Sequence, residues 1–101
     1  MSDKELQEFF EKNDFNVHLT KQDNIQCAEV EKWTDGGVDM IIWLNPFTIE
    51  EFKGFVEDFD IDDQIELHRQ AEDYCAAFTI KESVEDFEAF EKHLEEIAEK
   101  L

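Results

Sequence analysis

Positive charge is what this chain most conspicuously lacks: nine Lys and Arg residues stand against 28 Asp and Glu. The resulting net charge of −19 repels nucleic acid and anionic membrane surfaces, so direct binding to either is not expected. Proline and glycine are scarce, with one and three residues, which leaves little room for long linkers. Cysteine is limited to Cys27 and Cys75, which form neither a disulfide framework nor a CxxC pair. A reduced, cytoplasmic setting is the expectation. The longest unbroken apolar run, Met40 to Leu44, has five residues, against the roughly 20 that a membrane-spanning helix needs. No basic segment leading into an apolar stretch opens the chain, so no secretory signal is expected.

What the chain does have is a core. Apolar residues make up 42% of it and ten are Phe, too many for a disordered acidic tail. Its 101 residues are the size of one domain, and residues 1–101 are read as a single acidic α+β domain.

The order of elements follows from periodicity and punctuation. Ser2 with Glu5 forms a capping box ahead of Leu6, Phe9 and Phe10, predicting a helix over residues 3–13. Phe15 to Leu19 alternates as a strand, and residues 21–24 are expected to turn. Two further strands, Ile25 to Thr34 and Val38 to Leu44, flank Asp35-Gly36-Gly37. A three-residue loop with a left-handed Gly pairs Thr34 with Val38, Lys32 with Met40, Val30 with Ile42 and Ala28 with Leu44. A register slip of one residue would drive Glu29 and Glu31 into the core. Thr48 with Glu51 caps a second helix bearing Ile49, Phe52, Phe55, Val56 and Phe59 on one face. Asp60 can cap a third through Ile61, Ile65 and His68. Residues 71–80 read equally as helix end or extended chain, with Tyr74, Phe78 and Ile80 expected to be buried. Ser83 with Asp86 is the expected start of the last helix, whose apolar stripe is Val84, Phe87, Phe90, Leu94, Ile97 and Leu101. The fold class is therefore α+β: an N-terminal helix, a three-stranded antiparallel meander, then two or three C-terminal helices packed on one sheet face.

Tests for chemistry come back empty. Asp58, Asp60 and Asp62 fit the first three ligand positions of an EF-hand loop. However, Asp63 stands where the turn requires Gly, and Arg69 where a bidentate Glu is required. Cys27, Cys75, His18, His68 and His93 have no zinc-ligand spacing. No nucleophile elbow, phosphate loop or HExxH is present. With 28 carboxylates some pairs must lie close, so proximity alone does not indicate an acid–base dyad. The expectation is a non-enzymatic protein without cofactor or metal.

Charge distribution supplies the candidate site. Residues 50–73 hold ten acids and two bases, −8 in 24 residues, the densest part of the chain. Within it Glu57, Asp58, Asp60, Asp62, Asp63, Glu66, Glu72 and Asp73 are offset only by Arg69. Repulsion on this scale opposes folding, and carboxylates at i, i+3 and i+4 sit about 5–6 Å apart on a helix. That is close to the spacing at which a phosphate-binding groove presents its cations. The acids on the last helix (Glu85, Glu88, Glu95, Glu96 and Glu99) read more simply as a solvated face. A second candidate surface is the outer sheet face, where Glu29, Glu31 and Asp39 accompany Trp33, Ile41 and Trp43. It is either a partner-binding face with aromatic anchors or a surface packed beneath a terminal segment.

The stretch PFTIEEFKGFVEDFDIDDQIELHRQ, residues 46–70, is similar to acidic segments of anti-restriction proteins. FTIKESVEDFEAF, residues 78–90, resembles a segment recurring in small mobile-element proteins. In size, charge and element order the chain resembles the small DNA-mimic inhibitors of phages and mobile elements, which include anti-restriction and type II anti-CRISPR proteins. The resemblance implies inhibition of a host defence nuclease by occupying its DNA-binding or PAM-reading site. The expected partner is accordingly a basic, DNA- or RNA-binding protein such as a nuclease. The alternative is an acidic adaptor that binds a basic partner without competing with nucleic acid.

Overall fold

In the computed structural model, residues 1–37, 39–64, 66 and 80–101 are described, 80–83 for their backbone only. The first helix, α1 (Asp3–Lys12), begins as its sequence dictates: the Ser2 hydroxyl accepts from the Glu5 backbone and the Glu5 carboxylate accepts from the Ser2 N–H. The hydrogen bond from the Ser2 backbone N–H, and to a lesser degree hydrogen bonding from the Ser2 side chain, holds the Glu5 carboxyl below its ordinary range. At the other end Asn13 is the cap and Asp14 turns left-handed at φ 71°. Phe15 N–H reaches Phe10 O at 3.1 Å and Asp14 N–H reaches Glu11 O at 3.3 Å, a Schellman closure. The accompanying apolar contact is Phe10 against Phe15, edge to face at 5.9 Å. The helix stop therefore also launches the first strand.

Strands β1 (Asn16–Gln22), β2 (Ile25–Trp33) and β3 (Asp39–Leu44) form an antiparallel sheet in the order β1-β2-β3. The first hairpin is tighter than residues 21–24 suggested. Pairing continues to Gln22 opposite Ile25, and the loop is Asp23-Asn24 alone, at φ 51° and 67°. Two left-handed residues match the twist of flanking strands, and Asp and Asn tolerate that conformation, so the shorter turn wins. The second hairpin has the anticipated register, with Lys32 opposite Met40, Val30 opposite Ile42 and Ala28 opposite Leu44. Gly37 takes the left-handed position at φ 84° and its N–H closes the turn on Thr34 O at 3.0 Å. The expected Thr34–Val38 pair involves Val38, outside the described residues.

After β3, Phe47 N–H bonds Gln26 O at 2.8 Å, and Thr48 caps α2 (Ile49–Asp58) by accepting from Glu51 N–H at 3.2 Å. Asp60 then caps a helical stretch over residues 61–64, its Oδ1 accepting from Asp62 N–H at 2.9 Å and Asp63 N–H at 3.2 Å. The last helix, α3 (Ile80–Lys100), starts three residues before Ser83. Asp86 is therefore an interior residue whose carboxylate reaches the hairpin loop instead of capping its own helix. Ile65, His68, Tyr74 and Phe78 lie outside the described residues, and for Ile80 only the backbone does not.

One core joins these elements. Leu6 and Phe10 from α1, Val30, Met40 and Ile42 from the sheet, Phe52 from α2 and Phe87, Phe90, Leu94 and Ile97 from α3 are buried in a single cluster. Phe55 and Phe59, on the apolar face predicted for the second helix, are half-buried at its margin, Phe59 meeting both Phe55 and Phe90 in tilted ring contacts at 6.0 Å. The described helices thus cover one face of the sheet.

Candidate functional site

The two surfaces singled out by the sequence are differently built. In the acidic block, Glu57, Asp58, Asp60, Asp62, Asp63 and Glu66 are all exposed, while Glu72 and Asp73 lie outside the described residues. Their roles differ. Asp60 is a structural cap, its carboxylate committed to two backbone N–H groups. Asp62 and Asp63 open a helical stretch, where negative charge is favoured by the backbone dipoles. Glu57 and Asp58 occupy the last turn of α2, which has no basic residue. Carboxylates at a helix C-terminus face the negative end of its dipole, so these two are placed against local stability.

The outer sheet face follows from register. On β2 it carries Ile25, Cys27, Glu29, Glu31 and Trp33; on β3, Asp39, Ile41 and Trp43; and on β1, Asn16, His18, Thr20 and Gln22. Trp33, Ile41 and Trp43 are 57%, 53% and 42% exposed. All three are open to solvent, and no described segment covers them fully. Each carboxylate here is the direct cross-strand partner of one of these apolar residues: Asp39 of Trp33, Glu31 of Ile41 and Glu29 of Trp43. Cys27, buried on the same face, lies outside the main core cluster.

Electrostatically this face is a negative cluster. Burial pushes the Asp39 carboxyl above its ordinary value. Hydrogen bonding to Glu31 and the charges of Glu31 and Glu29 act in the same direction, and His18 opposes them. Asp39 Oδ1 is buried without a hydrogen-bond partner. His18 Nε2 lies 3.7 Å from Glu31 Oε1. Sequence reasoning did not place His18 here. The signal was the Asp23-Asn24 loop, because a two-residue hairpin sets His18 opposite Glu29.

Among the described residues no group of three His, Cys, Asp or Glu could hold a metal ion. Nor is any helix among them long and apolar enough to cross a membrane. His93, far from His18, is used structurally: its Nε2 lies 2.9 Å from Asn13 O and its ring stacks on Phe15 at 5.6 Å.

Fold and surface together define an acidic α+β fold whose sheet is covered by the described helices on one face and exposes Trp33, Ile41 and Trp43 on the other. The chain matches no family model, no curated protein and no solved structure.

Proposed function

We propose that this protein is a binding protein, not an enzyme, which acts in the cytoplasm as a DNA mimic. Its exposed carboxylates around residues 57–63 stand in for backbone phosphates and occupy a basic nucleic-acid-binding site on a partner such as a defence nuclease. The observation that carries the reading is Glu57 and Asp58 in the last turn of α2, a turn that contains no basic residue. Both are placed where the helix dipole disfavours them, inside the densest acidic block of a chain at −19. Folding gives no reason for that placement, whereas a cationic groove does. The similarity of residues 46–70 to acidic segments of anti-restriction proteins points the same way.

The test is capture from a bacterial lysate with the whole chain as bait, with and without excess duplex DNA. Mimicry requires that captured proteins bind nucleic acid, that duplex DNA releases them, and that release steepens with salt as phosphate contacts do. Reversing Glu57, Asp58, Asp62 and Asp63 to Lys should abolish capture; Asp60 is left intact because it is a cap. Capture indifferent to DNA would sink the reading. An acidic adaptor would then replace it, a reading favoured by the exposure of Trp33, Ile41 and Trp43.

A further inference from the structure

Two features of the outer sheet face have no structural use. It exposes four large apolar side chains that could have been polar, Ile25, Trp33, Ile41 and Trp43, and it interleaves three of them with the carboxylates Glu29, Glu31 and Asp39. No strand position on this face is Lys or Arg; the sheet's two lysines, Lys21 and Lys32, fall on the opposite parity, and Lys32 sits over the Phe15 ring at 5.9 Å. Among the described strand residues of this face the one basic side chain is His18. Those residues make the face negative and apolar.

We propose that the outer sheet face is a docking surface for an arginine-bearing segment of a protein partner, with guanidinium groups seated against Trp33 and Trp43 beside their paired carboxylates. The pairing of Asp39 with Trp33 and of Glu29 with Trp43 supplies what a guanidinium takes up simultaneously. Its planar face lies on an indole and its edge donates to a carboxylate. Glu31, between the two in register, completes a row of carboxylates. Lysine fits less well, since a compact, strongly hydrated ammonium gains little from stacking.

Charge complementarity selects this occupant. A second copy would set Glu29, Glu31 and Asp39 against acids of another chain at −19, and like charges across an interface oppose docking. The size of the face points to a segment, not a globular domain. Six residues of β3 span about 20 Å and three strands about 10–15 Å, well below the roughly 800 Å² a stable partner buries. The inference stands independently of the mimicry reading, because none of its residues belongs to the 57–66 block.

Both tryptophans of the chain lie on this face, so intrinsic indole emission reports on it without a label. The probe is a short peptide of alternating Arg and Gly, compared with its Lys counterpart, in about 0.15 M NaCl, where the Debye length is near 8 Å. The expected result is a saturable change in tryptophan emission, with the Arg peptide binding about tenfold tighter than the Lys peptide. The double variant Glu31→Gln with Asp39→Asn is near-isosteric and relieves repulsion, so it should fold, as circular dichroism will verify. It should lose about tenfold in Arg-peptide affinity, while Glu57→Lys with Asp58→Lys leaves the Arg-over-Lys preference intact. Equal affinity for the two peptides, unchanged emission at saturation, or parental binding by the double variant would each overturn the proposal. Loss of capture by the 57–63 reversal, with this preference unchanged, would separate the two readings.

Discussion

The Thr34 hydroxyl donates to Asp86 Oδ2 at 2.8 Å, tying the β2–β3 loop to α3 across 52 positions of sequence. The same carboxylate explains a glycine. A Cβ on Gly36 would collide with Asp86 Oδ2 and lie 3.2 Å from its Cγ. The neighbouring Gly37 is needed for a different reason, its left-handed φ of 84°.

Gly36→Ala is therefore expected to displace the Asp86 carboxylate from Thr34. The loss should be about 1 kcal/mol, or a fall in Tm of about 4–8 °C for a domain of this size. In a Thr34→Val background the same glycine change should cost less, since the bond it breaks is already gone. Additive losses in thermal melts of the four proteins would refute the coupling.

His93 joins the two ends of the fold. Its Nε2 donates to the Asn13 carbonyl, while Asn13 Nδ2 bonds Phe9 O at 2.8 Å and Asn13 Oδ1 accepts from Lys100 at 3.3 Å. His93→Leu should cost about 1–2 kcal/mol through the lost donor and the carbonyl left behind. His93→Gln, which can still donate, should recover part of that. Urea denaturation of the three proteins decides it; equal stability would mean that the bond contributes nothing net.

Asp39 makes a pH prediction whose sign is opposite to that of a salt-bridged carboxylate. Its folded-state pKa is raised, so the native state holds the proton more tightly than the unfolded chain does. Stability must then fall as pH rises from the ordinary aspartate value through the raised one, and remain lower above it. Asp39→Asn is expected to be more stable than the parent at neutral pH, with the difference vanishing below the ordinary aspartate range. Thermal melts of both proteins across that interval should show the two curves converging on acidification; parallel curves would exclude the effect.

Crowded negative charge should make stability rise with salt. Between low salt and about 0.3 M NaCl, where the Debye length is near 6 Å, Tm is expected to increase. Glu57→Lys with Asp58→Lys should raise Tm by about 2–5 °C at low salt, because it also corrects the end of α2. That gain should shrink at high salt. A flat salt profile in the parent would mean that its carboxylates sit in stabilising networks.

The legible part of this fold was whatever local chemistry or parity fixes. The Ser2 and Thr48 caps, the Asp60 cap and the β2–β3 register all follow from residues within a few positions of one another. Parity carried the site as well, since the three-residue loop alone sends Glu29, Glu31, Trp33, Asp39, Ile41 and Trp43 to one face. Less legible was whatever depends on distant partners. Asp86 looks like a capping-box acid for Ser83, and only the arrival of the hairpin loop beside α3 gives it another use. The reach of β1 to Gln22 was hidden because Lys21 and Gln22 look like turn residues until Asp23-Asn24 is recognised as a complete loop. Charge density marked the 57–73 block but could not separate a cap, Asp60, from acids with no capping bond, Glu57 and Asp58.

The strand order β1-β2-β3 has a consequence for the behaviour of the protein in concentrated solution. Among the described strands, β3 has a neighbour on one side only, and its exposed residues include Ile41 and Trp43. An edge strand with exposed apolar side chains is a template for pairing with another chain. Here the deterrent is mutual repulsion between molecules that each carry −19. Acidification toward the isoelectric point removes that deterrent while leaving the margin open, so precipitation there should begin at β3 and yield material rich in intermolecular strand pairing.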